Sequence, residues 1–369
     1  MTDLTQCSPA AITISLCMIV KNEEATIGRC LNSVQGIADE IVIVDTGSTD
    51  KTKEIVRQFT EALYDFEWIN DFAAARNYAF SQATQEYILW LDADDVILPE
   101  DREKLLHLKS TLSPEVDVVS MVYNLSLDEQ GQVTCQIRRN RLVQREKNFR
   151  WVGPVHEYLE VYGNAQHTDI AVTHLPLSHD AGRNLYIYEQ RLLKGEQFSA
   201  RDLYYFANEL KDHRLYNRAI EYYQKFLATN QGWVVDNIDA CAKLADCFYE
   251  LHDVDNQLKY IYLSFKYGVP RADFCCRLGF HHLNRNQMDQ AIFWYKTATQ
   301  LEAPAQAWGL TNVPCQTWLP HLQLCVCYSR VGQYGLAYQH NEMASSFIPN
   351  DPRIHHNRNY LQTLAGINS

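Results

Sequence analysis

Hydrophobic residues fall along this chain in two different rhythms. The stretch "ITISLCMIV" (12–20) is nearly all apolar and rich in β-branched residues, which predicts a strand buried on both faces. "EIVIVD" (40–45), "ALYDFEW" (62–68) and "YILWL" (87–91) predict three more strands. Between them, "EATIGRCLNSV", "KTKEIVRQFTEAL" and "NDFAAARNYAFSQAT" carry apolar residues at helical spacing. Strand and helix in strict alternation imply a parallel sheet with right-handed crossovers. In such sheets ligands bind beyond the carboxyl ends of the strands. Asn22, Asp45, Asp92 and Asp94 all fall at those ends. Farther on, "VDVVSMVYNLSLDEQGQVTCQIRR" (116–139) reads as two strands around a turn at 128–131.

The second rhythm begins near residue 185. Strand signals stop, Tyr and Leu recur at helical spacing, and small residues return at long intervals. Ala207, Ala219 and Phe226 are 12 and 7 residues apart; Gly279, Ala291 and Ala298 repeat this, as do Cys325, Ala337 and Ala344. Pro304 and Pro349 close the last two sets, and Ala245, Gln257 and Ser264, with Pro270, fit more weakly. Units of this kind are stacked helix pairs whose small residues let the helices approach closely. The expected layout is an α/β domain over residues 1–185 and an all-α repeat domain over 186–369.

Composition narrows the function. A chain of 369 residues that is 46% hydrophobic can build two cores. Its net charge of −12 argues against a nucleic-acid-binding role, which needs a basic face. The 11 cysteines form no CxxC pair, so reduced thiols fit better than disulfides or a zinc site. No stretch reads as a signal peptide or reaches bilayer-spanning length, so a soluble, cytoplasmic protein is expected.

The chemistry is signalled where the fourth strand ends. "YILWLDADD" runs from grease into Asp92, Asp94 and Asp95, and carboxylates that close repel one another unless a cation lies between them. One Asp after a strand is ordinarily a turn former or helix cap. Three polar strand ends on one rim are harder to dismiss. Neither GxGxxG nor GxxxxGK[ST] is present, which leaves a sheet that binds a nucleotide through side-chain carboxylates and a metal.

Three separated segments, "SLCMIVKNEEATIGRCLNSV", "EIVIVDTGSTDKT" and "ARNYAFSQATQEYILWLDADD", together resemble the family 2 (GT-A fold) glycosyltransferases. The resemblance implies a nucleotide-sugar donor, with a UDP-sugar favoured, and a divalent cation, Mg²⁺ or Mn²⁺. Carried over residue by residue, Asn22 and Glu23 flank the base pocket, Asp45 contacts the base and Arg76 lines the pocket. Asp92 and Asp94 become the DxD pair that holds ribose and metal. The segment "RWVGPVHEYLE" resembles the place where inverting members keep a general base. It carries His156 and Glu157, where most members have an acidic pair; Glu157 is read as the base or as a structural ion-pair partner. In "THLPLSHDAGRN", His174 and His179 are candidates for a late metal ligand, with His179 preferred, or are surface loop residues. Arg138, Arg139, Arg141, Arg145, Lys147 and Arg150 form a basic run that is either a solvated strand edge or a contact for phosphate or an anionic acceptor.

The helical half resembles tetratricopeptide (TPR) repeats, and the two halves together resemble the SunS-like peptide glycosyltransferases. That implies an inverting, metal-dependent enzyme whose acceptor is a peptide, protein or glycan chosen by the repeats. The alternative is a repeat-based interaction protein that binds nucleotide without turnover. Exposed aromatic helices such as "RDLYYFANEL" leave a homodimer open as another use of the repeats.

Overall fold

The computed structural model of the protein describes residues 11–177, 182–301 and 308–365. The chain folds into two compact units, Met1–Glu196 and Gln197–Ser369.

The first unit opens with β1 (Ile14–Val20), α1 (Ile27–Ser33), β2 (Glu40–Asp45), α2 (Thr52–Val56), β3 (Leu63–Asp65), α3 (Phe72–Gln82) and β4 (Tyr87–Trp90). It continues with β5 (Asp95–Val96), α4 (Pro99–Thr111), β6 (Val118–Leu127), β7 (Val133–Gln144), β8 (Arg150–Val152), β9 (Tyr158–Glu160), β10 (Ala165–His174) and α5 (Arg183–Leu193). The main sheet runs in the order β3-β2-β1-β4-β7-β6-β10-β5. Its β3-β2-β1-β4 half is parallel, as the alternating pattern requires. The rest is mixed: β7 runs antiparallel to both β4 and β6, and β10 runs parallel to β6. The sheet is thus mainly parallel, as expected, with only β7 and β5 of this order running against the other strands. The hairpin β6–β7 reverses direction at 128–131, where Asp128 Oδ1 accepts from the Gln130 and Gln132 amides.

β1 shows why its apolar run is unbroken. Ile14, Leu16, Met18 and Val20 pack with Ile27 and Leu31 of α1 and Leu105 of α4 on one face. Cys17 turns to the other face with Val42, Val44, Ala73 and Ala79, under α3. Chain order runs outward from β1 to β3 and then returns to β4 on the opposite side of β1. That reversal opens a crevice beyond the ends of β1 and β4, the ordinary ligand site of such sheets. Two elements are shorter than their patterns predict. β3 keeps only three residues, and α2 stops at Val56, beyond which the chain continues in turns to Thr60, whose hydroxyl donates to the Ile41 carbonyl at 2.8 Å.

The second unit is helical: α6 (Ala200–Asp212), α7 (Tyr216–Thr229), α8 (Val234–Glu250), α9 (Val254–Ser264) and α10 (Ala272–Asn284), then α11 (Met288–Gln300), α12 (Val313–Gln316), α13 (Trp318–Arg330), α14 (Tyr334–Ser345) and α15 (Pro352–Ala365). The helices pair as α6–α7, α8–α9, α10–α11 and α13–α14. The small residues that set the sequence rhythm are the points of closest packing: Ala207, Ala219, Ala245, Ala291 and Ala337 are fully buried. A Cβ on Gly279 would lie 2.7 Å from the Tyr295 ring, so α10 and α11 meet at a distance only glycine allows. Gln257 is only partly buried, which matches the weaker pattern of its unit. Among the described residues no helix is long and apolar enough to cross a membrane.

Candidate active site

The crevice is built from the ends of parallel strands. At the end of β2, Asp45 is completely buried. Its Oδ1 accepts from the amides of Gly47 (2.9 Å) and Ser48 (2.8 Å), and Lys53 Nζ lies 3.5 Å away. Gly47 has φ 104°, a left-handed conformation that costs glycine nothing and curls the turn back onto the carboxylate. The other oxygen, Oδ2, is buried without a hydrogen-bond partner. A buried acceptor left in this way costs free energy unless a ligand donates to it.

At the end of β1, Asn22 is exposed and also left-handed, at φ 56°. Its Oδ1 accepts from the Thr49 amide at 2.8 Å, so it fastens the β1 turn to the β2 turn. Glu23 is fixed by its amide, which donates to Thr52 Oγ1 (2.7 Å), and by its carboxylate, which accepts from Thr26 Oγ1 (2.6 Å). Burial, reinforced by the nearby charges of Asp94 and Asp92, raises its pKa; the Thr26 bond and Arg183 oppose the rise.

At the end of β4, three carboxylates have three different tasks. Asp95 is fully buried and entirely committed. Its Oδ1 accepts from Tyr123 Oη (2.8 Å), and its Oδ2 accepts from the Asp92 amide (3.0 Å) and lies 3.1 Å from Arg141 Nη1. Arg141 is itself held between the Trp90 and Tyr123 rings, at 3.9 and 4.3 Å. Asp92 keeps a third of its side chain exposed and pairs with Arg76 Nη2 at 2.6 Å. Burial alone would raise the Asp92 pKa, but Arg76 and then Arg141 hold it below the usual carboxylate range. Asp94 faces His174, with Oδ1 3.4 Å from Nδ1. The pairing of β10 with β5 sets His174 opposite Asp95, which explains the encounter. Burial opposes charge on the imidazole, yet Asp94 and Asp95 outweigh it and push its pKa up to about 10.

Asp94, Asp95 and His174 offer ligand atoms within 4.8 Å of one another, the one such metal-type cluster among the described residues. Asp95 is held by Tyr123, Arg141 and the Asp92 amide, while Asp94 and His174 face each other beside it, His174 Nδ1 also lying 3.1 Å from Tyr123 Oη. One carboxylate and one imidazole suit a divalent ion of the Mg²⁺–Mn²⁺ type, with room left for oxygens from a ligand.

Arg76, on α3, bridges the sequence motifs. Its Nε donates to Glu157 Oε1 (2.6 Å) while its Nη2 holds Asp92. The segment carrying Glu157 is clamped to α3 as well: Asn77 Nδ2 donates to the Trp151 carbonyl (2.9 Å), and the Trp151 amide donates to Asn77 Oδ1 (2.9 Å). Glu157 is thus an ion-pair partner in this structure, which bears on its expected role as base. His156, at φ 48°, stacks on Tyr188 of α5, ring centroids 6.4 Å apart. His179 lies outside the described residues. The basic run has divided: Arg141 lies inside the site, while Arg138 turns inward to donate to the Thr168 carbonyl at 2.7 Å. Sequence reasoning named Asp95 only as one acid of the "DADD" run and Arg141 only as a member of the basic run, and it missed Tyr123, which nothing local marks.

Residues 15–158 match the family model described as Glycosyl transferase family 2. Over 354 residues the chain is 27% identical to a TPR repeat-containing protein of Synechococcus elongatus, an alignment covering 92% of this chain and 77% of that protein. Over 228 residues it is 29% identical to the SPbeta prophage-derived glycosyltransferase SunS of Bacillus subtilis, covering 58% of this chain and about half (53%) of SunS. The first unit carries a family 2 glycosyltransferase domain over residues 15–158, and the chain as a whole is similar to a TPR repeat-containing protein.

Proposed function

We propose that this glycosyltransferase moves a sugar, with inversion, from a UDP-linked donor to a peptide, protein or glycan acceptor presented by the helical repeats, and that it requires Mg²⁺ or Mn²⁺. The observation that carries this reading is the juxtaposition of Asp94 and His174 at 3.4 Å, on the rim where Asp45 keeps a buried oxygen unpartnered. Asp45 Oδ2 would accept the N–H of a uracil base, and Asp92, steadied by Arg76, would accept from a ribose hydroxyl. A cation held by Asp94 and His174 would supply charge neutralisation for the diphosphate leaving group.

The chain's own residues do the rest. The acceptor's O–H or S–H attacks the anomeric carbon on the face opposite the nucleotide, and the bond from that carbon to the diphosphate oxygen breaks with its electron pair. The acceptor proton passes to Glu157. Arg76 orients Glu157 through their 2.6 Å ion pair. A thiol acceptor, which ionises more readily than a hydroxyl, would ask less of it.

Hydrolysis of UDP-sugars with and without Mn²⁺, in the absence of acceptor, tests the donor half. Metal-stimulated release of UDP is expected. Release that ignores chelation by EDTA would overturn the metal requirement, and binding of no uridine nucleotide in calorimetry would overturn the donor class.

A further inference from the structure

One cation at this crevice has no carboxylate partner among the described residues. Arg183 opens α5, and its guanidinium lies 4.7 Å above the centre of the Phe72 ring, at the start of α3. One turn farther along α3, Arg76 is tied to Asp92 and Glu157; on β7, Arg141 is tied to Asp95 of the turn after β4. Arg183 forms no ion pair with a carboxylate among the described residues, although it stands close enough to Glu23 to pull that acid's pKa down, and its Nε is buried without a hydrogen-bond partner. Guanidinium groups bind carboxylates and phosphates through paired N–H donors, and leaving a buried donor unsatisfied is costly. A cation kept unpaired beside a group of acids is poised for an anion that arrives from outside.

Resting on the donor reading above, we propose that Arg183 binds the diphosphate of the nucleotide donor and, as the glycosidic bond breaks, the charge that collects on the leaving group. Phe72 holds the guanidinium plane by cation–π contact, so that the group is aimed before the donor enters. Arg183 would then act on the diphosphate beside any cation that Asp94 and His174 hold.

The test is calorimetry on the full chain with EDTA present, so that Arg183 acts without metal. UDP and uridine are each titrated into wild type, Arg183→Ala and Arg183→Lys. We expect Arg183→Ala to weaken UDP on the order of 10- to 100-fold while leaving uridine unchanged, and Arg183→Lys to recover part of the loss. Equal losses for UDP and uridine would assign Arg183 to holding the pocket's shape and overturn the proposal; so would unchanged UDP affinity. If wild type binds neither UDP nor uridine but binds GDP, the choice of base falls, and the same comparison with GDP and guanosine decides Arg183. Should Arg183→Ala fail to fold, Arg183→Lys and Phe72→Leu carry the comparison, each expected to weaken the diphosphate selectively.

Discussion

The two units solve opposite problems with buried polarity. In the first, polar groups are taken into the sheet and aimed at one rim: Asp45, Asp95 and Arg141 are all fully buried within reach of a single crevice. In the repeats, polar groups satisfy one another between helices. Lys243 donates to Tyr204 Oη and Asn208 Oδ1, both at 2.9 Å, and Arg271 pairs with Asp239 at 3.0 Å. Burial raises the Asp239 carboxyl to about 6 even though Lys243 and Arg271 oppose the shift. The first arrangement leaves atoms over at the rim, Asp45 Oδ2 and Arg183 Nε among them, whereas in the second the polar groups named here are matched, Asn341 Oδ1 being a buried exception. Catalytic potential shows as polar atoms with work undone, and structural polarity as polar atoms already matched.

The largest effect that would break this contrast is at Asp94. Asp94→Asn retains shape and loses a charged ligand, so metal-stimulated donor hydrolysis should fall by roughly two to four orders of magnitude, several kcal/mol of leaving-group stabilisation. Equal Mn²⁺ stimulation in mutant and wild type would remove Asp94 from the metal.

Glu157→Gln comes next and separates two roles. If Glu157 takes the acceptor proton, transfer to a hydroxyl acceptor drops about 10²- to 10⁴-fold with donor affinity intact. If it serves only to hold Arg76, donor affinity and thermal stability fall together while the ratio of transfer to hydrolysis is unchanged. Measuring all three on one preparation distinguishes these outcomes.

Gly279→Ala probes the repeats. A methyl 2.7 Å from the Tyr295 ring must push α10 from α11, at a cost of about 1–3 kcal/mol in a melting experiment. UDP affinity should not move. If it does, the units are not separable in the way their polarity implies.

The smallest effect is one of pH. His340 stacks on Tyr328 and on His321, with Nδ1 atoms 3.0 Å apart. Burial, followed by His321 and Lys296, lowers its pKa to about 4. The unfolded chain therefore takes up a proton below about 6.5 that the folded chain refuses until about 4. Stability from this pair is complete above the unfolded value and declines as pH falls through that window, so His340→Gln should flatten the acid side of the melting profile. A slope identical to wild type would show that the pair does not titrate with folding.

Much of this is legible in the sequence. The ends of β1, β2 and β4 can be read locally because each is a buried run followed immediately by a polar residue, and the run itself fixes the strand. The repeats can be read because close packing at Ala207, Ala219 and Gly279 restricts residue size at set intervals. The partners of those acids cannot. His174 reaches Asp94 only through the pairing of β10 with β5, about eighty residues apart in the chain, and a register of that kind leaves no local signature. Arg141 looks like one charge in an exposed basic run, since nothing near it in sequence announces that Trp90 and Tyr123 enclose it. Asp95 is easily passed over because, in sequence, one acid of "DADD" looks much like another; only its full set of donors shows that it holds the turn and leaves Asp94 free.

The stacking around Trp90 has an optical consequence. Its indole meets Trp151 nearly at right angles, with ring centres 4.7 Å apart, and lies against two guanidinium groups, Arg76 at 5.1 Å and Arg141 at 3.9 Å. Arg141 is locked in place, but Arg76 is bound to the two acids that the donor and acceptor would engage. Any ligand that draws Asp92 or Glu157 away from Arg76 changes the electric field across an emitting chromophore. Site occupancy should therefore be readable in the protein's own fluorescence, as the part of the emission shift that disappears in Trp90→Phe, with no label attached.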